Sequence, residues 1–176
     1  KKGPQTKLFD AIKEKLGGLN IIAEDLGDLN PEVMVLRDKL GLPGMKILQF
    51  AFDNPGNDYL PHNYTSDNFV VYTGTHDNDT TRGWYESTNE ECRDYARRLM
   101  QVSGDDISWD LIRLAISSTA RYCVIPLQDV LSLGSEARMN TPGVRAGNWQ
   151  FRFRREQLTD DGAEGLRYLC ELYNRH

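Results

Sequence analysis

Short apolar runs alternate with amphipathic segments along this chain, and the alternation limits the folds that are open to it. Four runs predict β-strands, at residues 19–23, 45–52, 69–73 and 121–125. The run at 45–52 is apolar at nearly every position, which is typical of a strand with both faces covered. Strands that alternate with helices predict an α/β fold with a parallel sheet.

Five segments carry helical patterns around these strands. Four of them lie at about residues 6–16, 30–40, 89–100 and 108–120. The fifth is near the C-terminus, where Leu166, Leu169, Cys170 and Tyr173 have helical spacing. Asn30 and Pro31 form a good helix start, since Asn can cap the helix and Pro suits the first helical position. Helices therefore separate most of the predicted strands.

Two architectures fit this pattern: a small doubly wound sheet, or part of a (β/α)8 barrel. Long polar loops follow two of the predicted strands, at residues 53–67 and 129–148, whereas helices end on glycines shortly before the next strand. Long loops at the carboxyl ends of strands and short turns at the other ends are the asymmetry of a barrel.

Composition excludes several classes of function. The 176 residues carry a net charge of −5 without a Lys/Arg cluster, so we expect no nucleic-acid partner. Cys92, Cys123 and Cys170 form neither a zinc spacing nor an even set, which favours a reducing cytoplasm. We find no signal peptide and no apolar run near ~18 residues, so the sequence predicts no membrane insertion.

The first predicted strand ends at Glu24 and Asp25. Carboxylates just beyond the carboxyl ends of buried strands are where α/β barrels carry their chemistry. Glu24 follows apolar residues, and a carboxyl group at the rim of a dry pocket has a raised pKa and can act as a general acid. The alternative is that both residues simply begin a polar loop. Asp25 points the other way if the strand continues, and is the weaker candidate.

The third predicted strand ends at His76 and Asp77. Asp77 belongs to a cluster of short polar side chains, so it is either functional or a turn-forming residue that bonds its own backbone. His76 could donate to a substrate hydroxyl, or be a structural residue. A metal site is not expected, because no second ligand lies at helical or hairpin spacing.

Aromatic residues and amides are interleaved in the later loops. Rings stack on the apolar face of a sugar, while amides and carboxylates bond its hydroxyls; the alternative for each residue is loop structure or core packing. The residues concerned are Gln49, Phe50, Asp53, Asn63, Tyr64, Trp84, Asn140, Asn148 and Trp149.

Six segments together resemble one known family. They are residues 22–27, 43–53 (without Ile47), 60–64, 72–80, 126–129 and 134–149, the last as Gly134–Gly143 with Gly147–Trp149. In order and content they are similar to the amylomaltases, the 4-α-glucanotransferases or disproportionating enzymes of glycoside hydrolase family 77. The resemblance implies a (β/α)8 barrel, a retaining mechanism, α-1,4-glucan (maltodextrin) substrates and no cofactor.

The resemblance also implies roles for individual residues. Glu24 matches the general acid/base after the fifth barrel strand, and Asp77 matches the transition-state-stabilising Asp after the seventh. His76 matches a sugar ligand. Further sugar contacts are implied at Asp25, Gly27, Gln49, Phe50, Asp53, Asn140 and Asn148.

Residues 1–176 resemble the C-terminal half of such a barrel, strands five to eight. The family nucleophile is an Asp in an Arg-x-Asp-His-type segment after the fourth strand, and this chain contains no such segment. We therefore expect the chain alone to be inactive. A half barrel has open sheet edges, so we also expect self-association.

Two other functions remain open. One is an α-glucan hydrolase of the α-amylase clan, which uses water as the acceptor. The other is a non-catalytic glucan-binding fragment, since half of the catalytic machinery is absent.

Overall fold

Three parallel strands form the centre of the structure, a computed structural model that describes residues 3–18 and 20–175. Short 3-10 helices cover Leu48–Phe50, Pro61–Asn63, Ser135–Ala137 and Arg155–Gln157. In chain order the other elements are α1 (Thr6–Leu16), α2 (Pro31–Lys39), β1 (Gly44–Ile47), β2 (Phe69–Tyr72), α3 (Thr81–Ser87), α4 (Glu90–Met100), α5 (Ile107–Ser117), β3 (Tyr122–Val124), α6 (Leu127–Val130) and α7 (Asp160–Leu172).

Strand β2 lies between β1 and β3, with Val70 opposite Met45 on one side and Tyr122 on the other. Both pairings are parallel, which confirms the predicted α/β class with a parallel sheet. The carboxyl ends of all three strands consequently meet at one edge of the sheet. The loops that follow them are therefore brought close together.

The predicted strand at 45–52 is shorter than expected. It ends at Ile47, and Leu48–Phe50 form a 3-10 turn. Gln49 N–H still donates to the Thr73 carbonyl at 3.2 Å, and Ala51 N–H closes the turn on Leu48 O at 2.9 Å. The apolar run continues past the strand because Leu48 and Ala51 are core residues and not because the strand continues.

The predicted strand at 19–23 is wrong within the described residues, and Leu19 lies outside them. Residues 20–26 have no regular secondary structure, so the described sheet has three strands and not four. One backbone bond joins the segment to the residues before β1, from Ala23 N–H to Pro43 O at 2.9 Å. Ile22 is 48% exposed. A lone bond with no described strand on the other side does not build a ladder.

The helices predicted from spacing are present, with small changes at their ends. Asn30 and Asn89 cap α2 and α4, and their side chains accept from Glu32 N–H at 2.9 Å and Cys92 N–H at 2.8 Å. The helix predicted at 108–120 ends earlier, at Ser117. The predictions missed the short helices α3 and α6, and α3 begins at the capping residue Thr80.

Helix α5 is buried on two sides. Leu111 and Ala115 pack into the main core with Val71 of the sheet. Ile112 and Ile116 face a second cluster that contains Leu169 of α7. Because α5 contacts both clusters, it connects the sheet to the C-terminal helix.

Asp129 joins the end of β2 to α3. Its side chain is buried and accepts from Thr73 Oγ1 at 2.5 Å, Thr81 N–H at 2.7 Å and Thr81 Oγ1 at 2.8 Å. Burial raises the pKa of the Asp129 carboxyl above its ordinary value, although the bonds from Thr73 and Thr81 favour the ionised form. Asp129 therefore fixes the start of α3 beneath the loop that carries Asp77.

We expect Asp129→Ala to be strongly destabilising. It removes the acceptor for three buried donors, and leaving such donors unsatisfied costs about 3 kcal/mol or more in total. Urea unfolding followed by circular dichroism measures this free energy of unfolding. The exposed Asp28 provides the control, because Asp28→Ala should change it by less than about 0.5 kcal/mol. Equal stability of the two variants would contradict a structural role for Asp129.

Candidate active site

A cleft of 1210 Å³ opens at the carboxyl edge of the sheet. Most of its lining comes from residues 22–27, 45–50, 72–87 and 124–142. These segments follow the strands or, in the first case, run beside β1. A cleft at this edge is the usual place for a ligand in a parallel α/β sheet.

The structure brings most of the predicted site residues to this one cleft. Residues that line it include Glu24, Gly27, Gln49, Phe50, His76 and Asp77. Asn140 is not a lining residue, but its side chain bonds Asp77, which is one. Asp25, Asp53 and Asn148 are not among the lining residues.

Glu24 is exposed at the edge of the cleft. The dry, apolar surroundings predicted for it are therefore not provided by the described residues. Its charge acts on a residue of β2: burial and, second, the charge of Glu24 raise the pKa of the Tyr72 hydroxyl above its ordinary value. Glu24 and the end of β2 thus share one electrostatic environment.

Asp25 is turned away from the cleft. Its side chain is 6% exposed, pairs with Arg37 of α2, and accepts from Met45 N–H at 2.7 Å. Burial lowers the pKa of Arg37, but the bonds to Asp38 and Asp25 outweigh this and raise it above its usual value. The geometry gives no support to the sugar contact predicted for Asp25. Asp25 instead anchors the segment that carries Glu24 to β1 and α2.

The loop after β2 presents Asp77 to the cleft. Asn78 makes the turn, since its Oδ1 accepts from both N–H and Oγ1 of Thr75 at 2.8 Å. The Asp77 carboxylate is therefore not occupied by its own turn. It accepts from Asn140 Nδ2 at 2.5 Å, and His76 Nε2 lies 3.5 Å from the same oxygen. Of the two alternatives for Asp77, the turn-forming role falls to Asn78.

Gln49 and Phe50 follow β1 and have different surroundings. Gln49 is buried, and its Nε2 donates to Asp79 O at 2.9 Å, which ties the loops after β1 and β2 together. Phe50 is 48% exposed and meets Tyr59 edge-on, with ring centroids 6.0 Å apart. An exposed phenyl ring held by a second ring at a cleft is suited to stacking on a sugar.

Asp53 and Asn148 hold loops. The hydrogen bond from Asn57 Nδ2 to Asp53, 2.6 Å long, lowers the pKa of the Asp53 carboxyl. Asn148 accepts from Thr141 N–H at 2.9 Å and donates to Val144 O at 2.9 Å, which closes the loop between them. Neither side chain is directed to the cleft by these bonds. The sugar contacts predicted for them stay predictions.

Several residues of the site were not predicted. Asp79 accepts from Ser135 Oγ at 2.7 Å, and Arg138 contacts the Asp77 loop. Both lie in segments that carry the family resemblance, but no spacing rule joins positions so far apart in the chain. Nowhere in the described part of the chain do three or more His, Cys, Asp or Glu side chains gather so that they could hold a metal ion.

Comparison with known proteins decides the family. A sequence profile described as 4-alpha-glucanotransferase, glycoside hydrolase family 77, matches residues 1–159. The chain belongs to this family. A 4-alpha-glucanotransferase of Synechocystis sp. is 49% identical over 98% of this chain, and one of Thermus thermophilus is 47% identical over 99%.

The same family appears among solved structures. An amylomaltase from Streptococcus agalactiae, determined in complex with acarbose, matches with a TM-score of 0.93 and 38% identity over 99% of this chain. The chain spans only 35% and 36% of the length of the Synechocystis and Thermus relatives. Every helix in residues 3–18 and 20–175 is too short or too polar to cross a bilayer.

Proposed function

We propose that this chain forms part of a 4-α-glucanotransferase that moves α-1,4-glucan segments between maltodextrins. One observation carries the proposal: Glu24 and Asp77 line the same cleft, in a chain of this family. The exposed ring of Phe50, which lines the cleft, adds a surface suited to a sugar. The binding of acarbose by the Streptococcus amylomaltase supports a glucan-binding role for the cleft.

In this proposal residues 1–176 supply strands five to eight of a (β/α)8 barrel and their helices. Strands β1, β2 and β3 are the sixth, seventh and eighth, and residues 20–26 occupy the place of the fifth, although they form no ladder in this structure. Three features support it: the parallel sheet, the cleft at its carboxyl edge, and the match to an amylomaltase. The outer strand β3 also leaves Tyr122 53% and Val124 46% exposed. Further barrel elements would cover such residues. The self-association predicted from open sheet edges stays a prediction.

The proposed reaction begins with cleavage of the glucan. Glu24, as a carboxylic acid, donates its proton to the glycosidic oxygen while an aspartate from outside this chain attacks the anomeric carbon. The bond from that carbon to the leaving glucan breaks, and a glucosyl-enzyme ester forms. The second displacement, described next, restores the original configuration at that carbon. Asp77 bonds the sugar hydroxyls more strongly as oxocarbenium charge develops.

Transfer to the acceptor reverses these roles. Glu24, now a carboxylate, takes the proton from the 4-hydroxyl of an incoming glucan. The hydroxyl oxygen attacks the anomeric carbon, the ester bond to the aspartate breaks, and a new α-1,4 bond forms. Transfer exceeds hydrolysis where the acceptor site holds sugar in preference to water. In this mechanism no metal ion or organic cofactor takes part.

The products formed from maltotriose test the proposal. The test uses a protein that contains this chain and has the full length of its relatives. We call it the family-length protein. A glucanotransferase should release glucose and make maltodextrins longer than maltotriose, as resolved by anion-exchange chromatography. Glucose and maltose without longer products would indicate a hydrolase. Unchanged maltotriose would indicate a non-catalytic glucan-binding protein.

We expect Asp77→Asn in the family-length protein to lower kcat/KM about 10²–10³-fold, because an electrostatic contact to the transition state is lost. The Asn side chain keeps the shape, so the effect reports the charge. Initial rates with maltotriose measure it. Asp161→Asn, at the exposed start of α7, is the control and should retain the parent rate. Equal rates for both variants would remove Asp77 from the mechanism.

A further inference from the structure

Arg138 contacts the backbone on both sides of the hydrogen bond that orients Asp77. Its Nη2 donates to Asp77 O at 2.8 Å, and its Nε donates to Asn140 O at 2.9 Å. Asn140 Nδ2 in turn donates to Asp77 Oδ1 at 2.5 Å. The Arg138 guanidinium therefore bonds the backbone of both Asp77 and Asn140, the two residues joined by this side-chain hydrogen bond.

The two loops joined in this way come from distant parts of the chain. Asp77 follows β2, whereas Asn140 lies in the long loop after β3 and α6. The guanidinium is planar and its donors have a fixed spacing, so a pair of carbonyl oxygens bound to it is held at a fixed separation. Movement of either loop would lengthen one of these bonds and turn Asp77 relative to the cleft.

We infer that Arg138 is a positioning residue for Asp77: it fixes the separation of the two loops and thereby the direction of the carboxylate. This inference rests on the proposed function, in which Asp77 stabilises the transition state. Asp77 Oδ1 is used by Asn140, and among residues 3–18 and 20–175 no donor bonds Oδ2. The clamp thus leaves Oδ2 as the oxygen available to the sugar. Misalignment by about 1 Å at such a group is enough to cost ~10²-fold in rate.

The decisive variant is Arg138→Lys in the family-length protein. A lysine keeps the positive charge but cannot bridge both carbonyls with a planar fork. We expect kcat with maltotriose to fall about tenfold or more, while KM changes less than about threefold, because the loss is felt in the transition state. A fall in kcat of less than about fivefold would overturn the inference.

Chemical rescue separates positioning from folding. Arg138→Ala should lose about 10²-fold in kcat, and added guanidinium ion at low millimolar concentration should restore at least about a tenth of the parent rate, since it can occupy the vacated site and bond both carbonyls. A variant that had merely lost its fold would not recover. Absence of any recovery by guanidinium, methylguanidinium or ethylguanidinium would therefore overturn the inference.

Arg152 provides the matched control. It is exposed and also donates to two backbone carbonyls, Trp149 O at 3.1 Å and Phe151 O at 2.7 Å, without contacting Asp77. Arg152→Ala should keep kcat within about twofold of the parent, and guanidinium should not raise it. Loss of activity in Arg152→Ala equal to that in Arg138→Ala would count against the inference. An inactive parent protein, by contrast, would contradict the proposed function itself.

Discussion

Glu24→Gln in the family-length protein should lower the rate of glucan transfer by ~10²–10⁴-fold, the usual contribution of a general acid/base. Glutamine keeps the size and the hydrogen-bonding oxygen of the side chain. It cannot deliver a proton to the glycosidic oxygen, and it cannot accept one from the incoming 4-hydroxyl. Both halves of the reaction consequently lose their proton transfer, while the cleft keeps its shape.

The measurement is the initial rate of glucose release from maltotriose, together with KM for the same substrate. Because glutamine leaves the sugar contacts in place, kcat should account for most of the loss. Glu91→Gln, at the exposed first turn of α4, changes the same functional group away from the cleft and should retain the parent rate. Activity of Glu24→Gln within about tenfold of the parent would be too high for a general acid.

A substrate with a good leaving group refines this test. An α-glucosyl fluoride needs no protonation at its leaving atom, so the first step should recover in Glu24→Gln when it is the donor. Transfer to an acceptor sugar should stay slow, since the second step still lacks its base. Recovery of the first step alone would assign both roles to Glu24, whereas no recovery would argue against its role as the acid.

Local patterns predicted the parts of the fold that depend on neighbours in sequence. The caps Asn30 and Asn89 and the strand at residues 69–73 are set by residues within a few positions. Strand ends also predicted the main feature of the site. Since parallel strands end at one edge, the residues after β1 and β2 had to meet there, and Gln49 and Asp77 line one cleft.

The features that sequence reasoning missed depend on partners far away in the chain. Residues 20–26 have the composition of a strand, but a ladder needs a series of backbone bonds to a neighbouring strand, and among the described residues this segment makes one such bond. The family resemblance implies a sugar contact for Asp25, which stays a prediction, but no sequence pattern indicated its ion pair with Arg37 of α2. Apolar spacing does not report such an ion pair. A carboxylate and an arginine predict an ion pair only when it is known that the elements carrying them pack together.

The same limit explains the surroundings of Glu24. Apolar neighbours in sequence suggested a dry pocket, but Ile22 and Glu24 are both exposed in the structure. The alternation of residues along a segment decides which side chains share a face. Whether solvent reaches that face depends on the groups that cover it. In the proposed barrel, the covering groups come from strands that are not in this chain.

The 176-residue chain alone should form no transfer products from maltotriose, because the described residues that line its cleft supply no carboxylate for the role of nucleophile. A retaining mechanism needs a second carboxyl group about 5.5 Å from the acid. The acidic residues lining the cleft are Glu24, Asp77, Asp79 and Asp129.

Each carboxylate of that set other than Glu24 is already engaged. Asp129 is buried and bonded to Thr73 and Thr81, and Asp79 accepts from Ser135 Oγ at 2.7 Å and Thr80 N–H at 2.8 Å. Asp77 accepts from Asn140 through Oδ1, and its Oδ2 is the oxygen that the proposed mechanism assigns to the sugar hydroxyls. Each of the three carboxylates therefore already has a role other than attack on the anomeric carbon.

The experiment incubates the purified chain with maltotriose and follows the products by anion-exchange chromatography, with the family-length protein as the positive control. Circular dichroism and calorimetric titration with maltoheptaose show whether the chain is folded and whether it binds glucan. Folded chain without products is the expected result, since transfer also needs the aspartate that the proposed mechanism places outside this chain. Glucose together with longer maltodextrins from the chain alone would show that one of its own carboxylates attacks the sugar, and the proposed division of the catalytic residues would then fail.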